Sequence, residues 1–192
     1  MSEAERDWTP RPHASSGGLN DETARATAQL IDETLREREI EYSREAPDLF
    51  VVVLPGERKL ETVIGVNVGK HGVRLESFVC RKPDENFEGV YKFLLRRNRR
   101  LYGVAYTIDR VGDIYLVGRM SNDRVTPDEL DRWLGQILEA VDADFNTLLE
   151  LGFAESIRKE WKWRVSRGES LKNLRAFEHL IDGADTLPRM PS

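Results

Sequence analysis

A single cysteine in 192 residues, Cys80, rules out an internal disulfide, so the fold needs neither a covalent staple nor an oxidising compartment. Histidine is nearly as scarce. His13, His71 and His179 are the whole set, and none has a second His or Cys at metal-ligand spacing, so neither a metal site nor a cofactor is expected. No apolar run approaches the roughly 20 residues that span a bilayer. The opening MSEAERDWTP is acidic and lacks the apolar stretch of a signal peptide. No glycine-rich phosphate loop is present either, because GVNVGKHG (65–72) fits neither a dinucleotide fingerprint nor a Walker motif. Nor is there an excess of positive charge: the formal net charge is -5, against the basic excess usual in a general nucleic-acid binder. These absences predict a cytoplasmic protein with no membrane insertion and no specific nucleic-acid partner.

What is present is a globular composition, with 40% hydrophobic and 33% charged residues. A chain of this length buries roughly 70% of its extended surface, enough for a real core. Residues 1–18, rich in Pro, Ser and Gly, read as a disordered tail in which Trp8 is the one large apolar group. Residues 183–192 read as a flexible C-terminus. Between them, 19–182 form one domain.

Its elements follow from periodicity. Asn20 is a good cap for a helix carrying Ala24, Ala28, Ile31 and Leu35 at helical spacing. Ile40 and Tyr42 suggest a short strand, and LFVVVLP (49–55) a buried one. Two alternating runs, Leu60–Val68 and Val73–Val79, flank GKHG and predict a hairpin whose glycines supply positive φ. A helix over about 85–98 places Phe87, Val90, Tyr91, Leu94, Leu95 and Asn98 on one face. A second hairpin spans Tyr102–Met120, turning at DRVGD. TPDE then opens the strongest helix: Thr126 caps, Pro127 suits the first position and Glu129 completes a capping box. Gly152 is its expected C-cap, with Phe153 packing back, and two shorter helices follow at about 154–167 and 170–181. The order is α-β-β-β-β-α-β-β-α-α-α. Consecutive hairpins between helices mean α+β with an antiparallel sheet of hairpins.

Two stretches carry candidate binding residues. In LLRRNRRLYGVAYTI (94–108), Arg96, Arg97, Arg99 and Arg100 join Lys92, with no acid from 89 to 108. One reading is a solvated helix face whose positive charge stabilises the helix C-terminus. The other is a site for an acidic partner, since arginine suits bidentate carboxylate or phosphate contact. In RKEWKWRVSRG (158–168), Trp161 shares a face with Ile157 and Val165 and should dock on the sheet, whereas Trp163 points elsewhere and suits a protein interface. Catalytic patterns are thin. Ser156 and Lys159 match a Ser-x-x-Lys spacing without its partner motif. Glu76, Asp84 and Asp113 have no evident partner, and Cys80 reads as a small buried residue, so no catalytic residue is expected.

The element order, with FLLRRNRRLYGVAYTIDRVGDIYLVGRM (93–120) and FNTLLELGFAESIRKEWKWR (145–164), resembles the YbjN-domain family in its actinobacterial form, over roughly residues 20–181. The resemblance implies a fold similar to type III secretion chaperones: a compact α+β unit that often dimerises and binds protein segments. It also implies a loose role in sensory-transduction regulation. It carries no functional residue. Secretion chaperones end after their last long helix, whereas this chain adds about 30 residues. The expected function is therefore a non-enzymatic regulatory or chaperone-like module that binds a protein partner or a second copy of itself. The alternatives are a sensor of an acidic small molecule near Arg96–Arg100, and an uncharacterised enzyme.

Overall fold

The computed structural model describes residues 22–181. The two expected tails, Trp8, His13 and the capping Asn20 lie outside the described residues. Helix α1 (Glu22–Glu37) leads into strands β1 (Tyr42–Ala46), β2 (Leu49–Pro55), β3 (Glu61–Gly69) and β4 (Gly72–Cys80). Helix α2 (Phe87–Asn98), strands β5 (Val104–Ile108) and β6 (Ile114–Met120), and helix α3 (Pro127–Arg167) follow. The chain closes in a 3-10 segment, Lys172–Leu180. The six strands form one sheet in the order β1-β2-β3-β4-β6-β5, every pair antiparallel. The fold is the expected α+β.

One face of the sheet makes the core. Phe50, Val52, Ile64, Val66, Leu75 and Leu116 pack with Ile31 and Leu35 of α1, Val90 of α2, and Ile137, Val141 and Trp161 of α3. The strand alternation read from the sequence assigns this inward row because successive side chains point to opposite faces. Gly118 lies in that row where Trp133 packs: a Cβ there would sit 2.5 Å from the indole.

Four local expectations change. Gly69 and Gly72 close the β3–β4 ladder as a facing pair, and neither has positive φ. Gly72 is required for space, because a Cβ would lie 2.4 Å from the Met120 carbonyl oxygen. The α2 stripe is narrower than its periodicity suggests. Only Val90 and Leu94 are buried, while Phe87 and Leu95 are exposed, because α2 lies along the sheet edge beside β5 and α3 and meets them on a thin seam. Asn98, counted on that stripe, instead turns to β5: its amide accepts from Tyr106 N at 2.8 Å and donates to Tyr106 O at 3.3 Å. At α3, the Thr126 hydroxyl accepts from Glu129 N at 3.2 Å, but the Glu129 carboxylate accepts from Trp133 Nε1 at 3.0 Å, so only half of the capping box is used for capping.

The C-terminal helices differ most. The predicted break falls in the right place, but α3 continues through it to Arg167 with only Phe153 non-helical, at φ -142°, ψ 19°. The loop after β4 explains why. The amides of Asp84 and Glu85 donate to the freed Gly152 carbonyl at 2.9 and 3.2 Å. The Glu85 carboxylate takes the Glu155 amide at 2.7 Å, so helix restarts at once in the same rod. Gly152 serves close packing here, since a Cβ would lie 2.9 Å from Pro83. The last segment is 3-10 rather than α. Leu171, Leu174, Phe177 and Leu180 recur every third residue and are buried or half-buried, and i and i+3 eclipse in a three-residue turn.

Candidate functional site

The basic stretch on α2 divides into one structural residue and three exposed ones. Arg97 turns inward. Its Nε donates to Asp144 Oδ2 at 2.7 Å, with the Asp144 side chain only 8% exposed. The Tyr106 hydroxyl, buried under α3, lies 2.8 Å from the same oxygen and 3.0 Å from the Ala140 carbonyl. Burial first, and then the Asp144 charge, pushes the Tyr106 phenol well above its usual range. This inward turn corrects the expectation of an exposed Arg97. The sequence did hold a signal: Asp144 falls between Val141, Phe145 and Leu148 on the apolar stripe of α3, and a carboxylate on a buried face demands a partner.

Arg96, Arg99 and Arg100 remain exposed, without an ion pair among the described residues. Around them the surface is unusually apolar. Seven large hydrophobic side chains are exposed among the described residues, and five of them (Phe87, Leu95, Tyr102, Ile108 and Val111) belong to α2, β5 or the segments that join them to their neighbours. The two ends of this surface are tied together. Lys82 stacks over Phe87 at 5.6 Å, packs against Gly112 in the β5–β6 turn, and donates its amide to Asp113 Oδ1 at 2.7 Å. That turn is rigid because Asp109 Oδ1 accepts the amides of Val111, Gly112 and Asp113. Exposed apolar side chains thus run along α2, β5 and their flanking turns, with the three arginines at the C-terminal end of α2.

Trp161 is buried, as its spacing requires, and Trp163 is 47% exposed on the second half of α3 with Arg167 over its ring at 5.9 Å. Trp163 thus lies on a different element from the arginines.

A second feature was illegible in the sequence. A cavity of about 530 Å³ opens where the kink of α3, the 3-10 segment, the β2–β3 loop and the end of β4 meet. Phe145, Leu149, Phe153 and Ile157 line it from α3, and Leu174 and Phe177 from the 3-10 segment. The loop wall is fixed by Asp142, whose Oδ1 accepts the Arg58 and Lys59 amides at 2.8 and 2.9 Å. Cys80 lines the cavity as a small buried residue.

The acids read as unpartnered all have partners. Glu76 pairs with Arg74 at 2.9 Å. Asp84 is gripped by both terminal nitrogens of Arg81 at 2.5 and 2.7 Å and accepts from Ser156 Oγ at 2.7 Å. The Arg81 guanidinium, aided by the Ser156 hydroxyl, holds the Asp84 carboxyl down at about 2. Ser156 is therefore committed to Asp84 and Lys159 lies near Glu155 at 3.8 Å, so the Ser-x-x-Lys pair is not assembled as a nucleophile and base. His179 lies 3.4 Å from Glu150. Among the described residues no cluster of His, Cys, Asp and Glu could hold a metal ion, and no helix is long and apolar enough to cross a membrane.

Comparison with known proteins places these features. The YbjN family, described as "Putative bacterial sensory transduction regulator", matches residues 27–150. An uncharacterised protein of Mycobacterium tuberculosis (strain H37Rv) is 61% identical over 157 residues, covering 79% of this chain and 86% of the relative. One from Mycobacterium leprae is 62% identical over 158 residues, covering 80% and 86%. Among solved structures, the chain is similar to the ExoU–SpcU complex of the type III secretion system of Pseudomonas aeruginosa, with TM-score 0.47, 17% identity, and coverage of 64% of this chain and 98% of that one. It is also similar to the ExsC–ExsE complex, with TM-score 0.48, 14% identity, and coverage of 67% and 96%.

Proposed function

This chain belongs to the YbjN family, and from that premise we propose that it is a non-enzymatic regulatory module whose α2–β5 surface holds an acidic, apolar-studded segment of a partner protein. One observation carries the reading: five of the seven large hydrophobics exposed among the described residues lie on α2, β5 or their flanking turns, and the C-terminal end of α2 carries three arginines that no described residue neutralises. Leaving apolar side chains in water gains nothing for an isolated domain, and a concentration of them rimmed by charge is the mark of an interaction surface. Aromatic residues and arginine are the types enriched at such interfaces. Arg96, Arg99 and Arg100 would choose the partner by charge, and Leu95, Tyr102 and Ile108 would supply the buried area. Arg97 would position the helix that presents them. Trp163 would serve a separate contact.

The test compares wild type with Leu95→Asp and with the pair Arg99→Glu and Arg100→Glu, each first checked for unchanged unfolding. Wild type should capture a protein whose cross-linked segment is acidic, and both variants should lose it. Capture of nucleic acid in its place, or equal capture by all three proteins, would overturn the reading. So would a homodimer in light scattering that both variants dissolve, since the occupant would then be a second copy.

A further inference from the structure

We propose that the cavity at the kink of α3 binds an amphipathic anion with a single hydrocarbon tail, of which a fatty carboxylate is the simplest member. Its volume, about 530 Å³, lies within the 300–1,000 Å³ range of small-molecule sites and far above the voids of a well-packed core. The interior is aromatic and aliphatic, with Phe145, Phe153, Ile157 and Phe177 each buried in the protein while lining the cavity. An apolar lining of this extent favours an apolar body over water.

The mouth sets the charge of that body's head. Four cations and two carboxylates line the cavity, in a chain whose net charge is -5. Two of the cations are already committed: Arg81 to Asp84, and Arg164 to Glu160 at 2.7 Å. Arg58 and Lys172 are exposed and make no ion pair with a described residue. They come from different segments, one from the β2–β3 loop and one from the start of the 3-10 segment. Glu57 is the single uncommitted acid in the lining, so the free charge at the mouth is positive. An apolar interior beneath two uncommitted cations selects a ligand with an apolar tail and one anionic end. The Asn146 side chain lines the same space from α3 and makes no hydrogen bond to a described residue, which leaves its amide to meet the head group.

Much of the cavity wall lies beyond the residues that the family match covers. Phe153, Ile157, Leu174, Phe177 and Lys172 all follow residue 150, where the family match ends. Within residues 27–150 the same sheet end would be an open shelf. The C-terminal segment adds a second wall to it.

The experiment is calorimetric titration of the full chain with decanoate and, separately, with decanol, both below their aggregation limits. Decanoate should bind saturably at one per chain. Ala176→Trp, which places an indole in the cavity from an exposed position on the 3-10 wall, should abolish binding with the thermal midpoint unchanged; if that variant fails to fold, Asn146→Trp fills the same space from α3. Replacing Arg58 and Lys172 together by Ala should weaken decanoate at least tenfold and leave decanol unchanged. Three results would each overturn the proposal: no saturable decanoate binding, binding that survives a folded cavity-filling variant, or a double variant that affects acid and alcohol alike.

Discussion

Replacing the arginines of α2 one at a time separates the residue that holds the fold from those that face solvent. Arg97→Ala removes a charged hydrogen bond of 2.7 Å to a carboxylate whose side chain is 8% exposed, from a guanidinium that is itself 27% exposed. Hydrogen bonds to charged groups contribute about 1.5–3 kcal/mol. The larger loss of about 3–5 kcal/mol that follows from orphaning a buried charge does not apply in full, because the Tyr106 hydroxyl, 2.8 Å away, still donates to the same oxygen. Arg97→Ala should therefore cost about 2–3 kcal/mol, and lower the thermal midpoint by roughly 5–10 °C in a domain of this size. Arg96→Ala and Arg99→Ala, exposed and unpaired, should each stay within about 0.5 kcal/mol. Urea unfolding at constant m-value reads the difference. A double-mutant cycle of Arg97→Ala with Asp144→Ala should return a coupling above about 1 kcal/mol. If Arg97→Ala costs no more than Arg99→Ala, the inward pair contributes nothing and Arg97 is no different from its exposed neighbours.

Tyr106 makes stability fall in alkali: its phenol stays protonated in the native state while the unfolded chain releases that proton near pH 10. Stability is fully present below that pH and declines above it by up to about 1.4 kcal/mol per pH unit for this group, so Tyr106→Phe should unfold with a shallower alkaline slope, and an equal slope would refute the burial argument. Trp161→Ala should cost about 3–5 kcal/mol as a buried aromatic, whereas Trp163→Ala should cost under about 1 kcal/mol, the worth of its stacking with Arg167; denaturant midpoints of the two variants check this. Gly152→Ala should destabilise by about 1–3 kcal/mol by overpacking against Pro83, and Gly135→Ala, in the middle of α3 with nothing within 4 Å of its Cβ position, should stabilise by about 0.5–1 kcal/mol; the sign of the difference in thermal midpoint decides.

Local chemistry made much of the fold legible. Alternation assigned the inward rows of β3, β4 and β6, helical spacing assigned the buried face of α1, and Thr126 with Pro127 marked the start of α3. What stayed hidden depends on residues far apart in sequence. Arg97 looked like one more solvated cation because its partner lies 47 positions away. Gly152 looked like a helix end because the amides that bridge the break come from the loop after β4. The three-residue rhythm of Leu171, Leu174, Phe177 and Leu180 is readable in the sequence, but a short helix over about 170–181 does not specify it. The cavity was beyond reach, since its walls come from segments separated by about a hundred residues.

The amide of Asn98 has a consequence for how this protein behaves when crowded. A β-sheet grows in one dimension, by adding a strand to whichever end still offers backbone groups. At the β5 end a single side chain occupies both the donor and the acceptor of Tyr106, so a stray strand would first have to displace a neighbour already in place. At the β1 end the backbone is open, but Ser43, Arg44 and Glu45 are exposed along it, and alternating charge discourages a second chain from lying alongside. One terminus is chemically plugged and the other electrostatically guarded. The two ends of the sheet are therefore unequal, and Asn98 is the position where a change such as Asn98→Leu would free the Tyr106 backbone groups to pair with a stray strand.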